Sequence, residues 1–154
     1  MQNISISTDA FKAGGTIPSE YTCDGKNISP SLSWNGIPAG AKSIVLIMDD
    51  PDAPRGTFVH WVLYNIPANV QKLSPGVPGN QALADGSRQG MTDFGRSGYG
   101  GPCPPPGKPH RYFFKIYALD TTLDLSSKAT KTDVERAMKG HVLAQGEIMG
   151  KYGR

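Results

Sequence analysis

The chain has 154 residues, a length that suits one domain able to bury its own core. A net charge of +3, spread over scattered Lys and Arg with no basic run, gives no footprint for nucleic acid. No apolar stretch approaches the ~20 residues of a membrane helix, so no membrane span is expected. With 19 Gly and 13 Pro among well-distributed apolar runs, the composition points to β structure with many turns and ordered loops.

The N-terminal Met1–Ser7 lacks a charged segment followed by an apolar one, so a cytoplasmic protein is the expectation. Residues 3–12 alternate weakly, as an edge strand would. Residues 16–30 read as loop. Leu32-Ser33-Trp34 is a short strand ended by the turn dipeptide Asn35-Gly36. Ser43–Met48 is a continuous β-branched and apolar run, the pattern of a strand buried on both faces. Asp49-Asp50-Pro51 stops it, because proline cannot donate to a sheet. Phe58–Ile66 is the next strand. Strict alternation would put Phe58, His60, Val62 and Tyr64 on one face and Val59, Trp61 and Leu63 on the other.

Residues 68–110 are dense in Gly and Pro and show no periodicity; so long a connection in a compact chain is usually functional. Arg111–Leu119 is a third strong strand, which His110 joins if it starts one residue earlier. Thr132 and Glu135 form a capping-box pattern, and Val134, Ala137, Met138, His141 and Val142 follow at helical spacing. Gly146 then reads as the stop, and Gly150–Arg154 as a tail. The fold class is therefore mostly β, a sandwich of sheets with one helix near the C-terminus. Cys23 and Cys103 sit in loop-type sequence with no C-x-x-C spacing. They read as two small, partly buried free thiols, with a disulfide ranked second.

Three features carry chemistry. Taken alone, the Asp49-Asp50-Pro51-Asp52 cluster reads as a solvated turn, His60 as a satisfied core histidine, and Gly100–Pro109 as a stiff crossover loop. Taken together, Asp50, His60 and His110 stand at ends of the strongest strands, where binding sites concentrate. A carboxylate beside an imidazole fixes its tautomer and aims the other ring nitrogen outward. Two such rings and a Tyr hydroxyl suit a phosphate or carboxylate oxygen. The same residues could serve as an acid–base set in a hydrolase, the second reading. No nucleophile accompanies them, however: Ser97 lacks a strand–turn–helix setting, and neither cysteine has a base near it in sequence. A metal set of two His with Asp50 or Asp52 ranks third, so no metal or cofactor is expected.

Asp50-Pro51-Asp52-Ala53-Pro54, then His60, then a Gly-Pro-rich run into His110-Arg111-Tyr112, resembles the phosphatidylethanolamine-binding protein, or Raf kinase inhibitor-like, family. Tyr21–Gly25, Ser29-Pro30, Leu32-Ser33-Trp34 and residues 140–144 resemble its short bacterial and archaeal branch. The resemblance covers nearly the whole chain as a single domain, 1–154. It implies a large central antiparallel sheet packed on a smaller one, few helices, and a small cavity for phosphate, acetate or phosphorylethanolamine-like anions. Asp50, His60, His110 and Tyr112 match its cavity residues. Asp52, Phe58, Gly101, Pro102 and Pro104 match its rim and loop, Phe58 standing where many relatives carry Trp. Relatives include kinase and serine-protease inhibitors, so such a partner is an expectation, as is a homodimer. The long C-terminal helix of the eukaryotic relatives is not evident here, and their kinase-regulating role is not carried over.

Overall fold

The computed structural model describes residues 2–154. In chain order the elements are β1 (Gln2–Asn3), β2 (Ser5–Ser7), β3 (Leu32–Asn35), β4 (Ser43–Asp50), β5 (Phe58–Pro67), β6 (Lys72–Leu73), β7 (Arg88–Gln89), β8 (His110–Leu119), α1 (Lys131–Met138) and β9 (Val142–Tyr152). A single 3-10 turn spans Ser19–Tyr21. The chain is thus mostly β with one α-helix near its C-terminus.

Six strands form the large sheet in the order β1-β9-β8-β4-β5-β7, and three form a smaller antiparallel sheet in the order β2-β3-β6. The large sheet is mixed rather than purely antiparallel, because β1 lies parallel to β9 at its edge. The weak alternation over residues 3–12 therefore resolves into two short strands in different sheets.

β4 explains the layering. It is paired on both edges, by β5 and β8, and every residue in it is buried. Its even positions Ile44, Leu46 and Met48 pack with Trp61, Leu63, Phe114 and Ile116, and with Ile6, Leu32 and Trp34 of the smaller sheet. Its odd positions Val45 and Ile47 pack with Val62, Tyr64, Leu119 and Leu123, and with Val134 and Met138 of α1. A strand with apolar cover on both faces has no polar side to show, hence the unbroken run Ile44–Met48.

The C-terminal region departs from the expectation. The helix begins two residues earlier: Thr130 accepts a hydrogen bond from the Asp133 amide, and the Thr130 amide donates back to the Asp133 carboxylate. It ends at Met138, so His141 and Val142 lie outside it. What read as a stop and a tail is β9, paired with β8 along its whole length. Its glycines are points of close approach, not breaks. A side chain at Gly146 would run into the Ile4 carbonyl, and one at Gly150 would meet Phe11 and Ile17. Within residues 68–109 only β6 and β7 are regular strands. Among the described residues no helix is long and apolar enough to cross a membrane.

Candidate functional site

The end of β4 divides two adjacent carboxylates between the two faces of the sheet. Asp49 continues the odd series toward α1. Asp50 continues the even series to the opposite side, where its Oδ2 accepts a hydrogen bond of 2.6 Å from Nδ1 of His110, the first residue of β8. Its Oδ1 accepts from the Asp52 amide at 2.8 Å, which closes the Asp50-Pro51-Asp52 turn. Both groups are buried, Asp50 at 3% exposure and His110 at 9%. The Tyr112 ring, two residues along β8, is stacked with His110. Burial first, and the Asp50 carboxylate second, push the Tyr112 hydroxyl well above the usual phenol range, so it remains a donor.

His60 arrives by an irregularity. Met48 faces Trp61 and Asp49 faces Val59, so His60 is an extra residue with no partner on β4, a β-bulge. The expected alternation breaks there. Val59, Val62 and Tyr64 pack toward the helix, while the His60 ring meets Tyr112 at 5.2 Å, on the same side as Trp61. The His60 ring lies 2.7 Å from the Gly100 carbonyl through Nδ1. A carbonyl only accepts, so Nδ1 carries the proton. The Gly100 amide donates in return to the His60 carbonyl at 3.0 Å. Burial lowers the imidazole pKa; the Gly100 carbonyl and Asp50 act in the opposite direction and are outweighed. Burial thus disfavours the charged form of the His60 ring.

Around these groups lies a cavity of about 200 Å³, lined by Asp50, His60, His110 and Tyr112 and walled by Phe58, Phe94, Ala53, Pro54 and the Cys103-Pro104-Pro105 segment. Of the nine residues singled out from sequence, six line it. Asp52, Gly101 and Pro102 do not. Asp52 grips Arg111 from behind the turn, with Arg111 Nε and a terminal nitrogen at 2.9 and 2.8 Å and the Arg111 amide at 2.9 Å. Those bonds pull its carboxyl down to about 2. Gly101 and Pro102 hold the loop down: the Gly101 amide donates to Asn27, the Pro102 carbonyl accepts from the Cys23 amide, and a side chain at Gly101 would collide with the Tyr21 carbonyl.

The cysteines are not free. Cys23 and Cys103 form a disulfide with their Cα atoms 5.4 Å apart. Prolines at 104, 105 and 106 have no amide to give, so few backbone bonds can hold this wall, and the bridge ties it to the 19–26 loop. Arg154 reaches the Pro104 carbonyl at 3.5 Å and grips Asp24 at 2.8 Å from the same side. Phe94 is the residue that sequence reasoning missed. It is 39% exposed at the mouth, edge-on to Phe58 and His60, and packed so close to Gly100 that a side chain there would collide with its ring. A lone aromatic amid Gly and Asp was its only signal. Among the described residues no three His, Cys, Asp or Glu side chains gather as a metal set.

The family model for phosphatidylethanolamine-binding protein matches residues 7–153. The chain belongs to that family. Its relatives include a UPF0098 protein of Methanothermobacter thermautotrophicus, 55% identical over 98% of this chain and 99% of that protein. Another is a UPF0098 protein of Aquifex aeolicus, 52% identical over 98% and 89%. Two crystal structures superpose on this phosphatidylethanolamine-binding protein fold. The homologue CT736 from Chlamydia trachomatis has a TM-score of 0.90 at 38% identity, covering 100% of this chain and 99% of that one. YbcL from E. coli, described as a member of the mammalian PEBP family, has a TM-score of 0.90 at 35% identity, covering 99% of each chain. Membership makes this a protein of the phosphatidylethanolamine-binding type.

Proposed function

We propose that the chain acts as a single non-catalytic unit whose cavity holds a small anion bearing a phosphate or carboxylate group, such as a phospholipid head group. The observation that carries this reading is the Asp50–His110 pair at 2.6 Å, buried beside the Tyr112 hydroxyl and open to a cavity. When His110 holds a second proton, its Nε2–H is a donor facing that space, with the Tyr112 hydroxyl beside it. At about 200 Å³ the cavity is below the ~300–1,000 Å³ of ordinary small-molecule sites. It suits a head group and leaves acyl chains outside. Regulation of a kinase or serine protease would then act through the mouth, around Phe94.

None of the nucleophile candidates weighed from sequence is free at the cavity. The Ser97 hydroxyl donates to the Gly79 carbonyl and does not line the cavity, and both thiols are in the bridge. A formed disulfide is uncommon in reducing compartments outside hyperthermophiles, so it pulls against the cytoplasmic expectation. The redox state of freshly isolated protein decides between them.

The test is a titration of isotope-labelled protein with inorganic phosphate and phosphorylethanolamine, followed at the His60 and His110 ring signals. Saturable shifts at both rings are expected. Rings that do not respond at millimolar ligand would remove the assignment, and turnover of a phosphoester lost in His60→Ala would replace binding with hydrolysis.

A further inference from the structure

Resting on the reading of the cavity as an anion site, we infer that it selects phosphate monoesters over phosphate diesters, because His60 presents a lone pair that only a ligand proton can satisfy. The argument begins with the backbone. Gly100 and His60 are joined twice, amide to carbonyl at 3.0 Å and ring to carbonyl at 2.7 Å. The second bond fixes the proton on Nδ1 and leaves Nε2 as an acceptor in the neutral ring. The ring's hydrogen bond to Gly100 is made through Nδ1, and the ring lines the cavity.

Shifting the proton to Nε2 would leave two acceptors, Nδ1 and the Gly100 oxygen, face to face. Adding a second proton would place a cation among Phe58, Phe94 and Tyr112, whose rings lie 5.0, 5.2 and 5.2 Å from the imidazole, in a site that disfavours charge by burial.

The opposite wall is different in kind. There the His110 ring donates through Nδ1 to the Asp50 carboxylate, and a second proton on that ring would make its Nε2 a donor beside the Tyr112 hydroxyl. The cavity therefore offers an acceptor on one side and donors on the other. A phosphate monoester retains one P–O–H below its second ionisation near pH ~6. It can donate that hydrogen to His60 Nε2 while its other oxygens accept from His110 and Tyr112. A diester has no hydrogen to give, and its oxygen lone pairs would face the nitrogen lone pair. Sites built around a ligand O–H discriminate strongly against analogues without it. Free head-group monoesters are then preferred to the same phosphate within an intact phosphodiester lipid.

The experiment uses the full chain with its bridge intact at about pH 5.5, where monoesters and diesters are both mainly monoanions. Ethyl phosphate and dimethyl phosphate are isomers of equal charge and differ only in whether the second oxygen bears hydrogen or carbon. Each is titrated while the ¹⁵N resonances of the His60 ring are followed. The free protein should show protonated Nδ1 and bare Nε2. Ethyl phosphate should shift Nε2, and dimethyl phosphate should bind at least about tenfold more weakly, the usual penalty of an unpaired buried acceptor. Equal affinities, or a free ring protonated at Nε2, would overturn the inference and leave the anion site standing. Failure of both isomers to perturb either histidine would overturn the inference and the proposed function together.

Discussion

Asp49 and Asp50 are neighbours in sequence, equally buried, and opposite in role. Asp49 points toward α1, where Lys131 and Lys115 reach its Oδ2 at 2.9 and 3.2 Å. Two cations from two elements saturate it, and it lines no part of the cavity. Asp50 has the His110 imidazole, a backbone amide, the neighbouring Tyr112 hydroxyl and open space. Burial and charge are common to both, so neither marks a site. What marks the site is the open space: neither lysine lines the cavity, while His110 does and has a second nitrogen beyond Asp50.

The comparison can be broken in four ways. The largest effect is expected at the wall that closes over Asp50. Replacing Cys103 with Ser should lower stability by roughly 2–4 kcal/mol, read by urea denaturation, and should weaken anion binding because Cys103 lines the cavity. The saturated aspartate comes next. Asp49→Ala should cost about 2 kcal/mol of stability, since two lysines lose their shared partner but keep some access to water. Phosphate affinity, measured by calorimetry, should stay within about twofold, the sheet being interposed.

Asp50→Asn should do the reverse, lowering phosphate affinity by about tenfold or more through the loss of a charged hydrogen bond to His110, with the fold retained by circular dichroism. The smallest effect belongs to Asp52. Its carboxyl lies at about 2 in the folded chain against an ordinary 3.8, so its contribution to stability is fully present above pH 3.8 and is lost as pH falls toward 2. Arg111→Ala should remove that contribution. Wild type and variant should therefore differ slightly at neutral pH and converge near the lower limit in an acid-unfolding series.

The strands that frame the site were legible because their signals are local. Ser43–Asp50 is apolar and ends at a proline, and His110–Leu119 alternates cleanly. β9 was not legible, because Gly146 and Gly150 carry a break signal in sequence whereas their purpose is to admit Ile4, Phe11 and Ile17, all distant in the chain. The helix start was displaced because Thr130 and Thr132 each have an acid three residues on. Local pattern cannot choose between them, and the favoured start is the one that lets Lys131 meet Asp49. Asp50, His60 and His110 could be singled out from their places at strand ends. Phe94 could not: it is held by the bond from the Val59 amide to the Asp93 carboxylate, a contact across 34 positions. The disulfide escaped for the same reason, since spacing alone does not say which loops meet.

The bulge at His60 stores part of the site as a count and not as an identity. Because side chains alternate with a period of two, a chain one residue shorter at this point would pair Met48 with Trp61 and Asp49 with Val59 without interruption. The apolar faces would keep their register, and the Gly100 amide would lose the His60 carbonyl it donates to. The imidazole would vanish as well, and with it the lone pair turned toward the ligand. Excising His60 is thus a cleaner probe than replacing it: the deletion removes the ring and its supernumerary backbone unit together and leaves a more regular sheet behind.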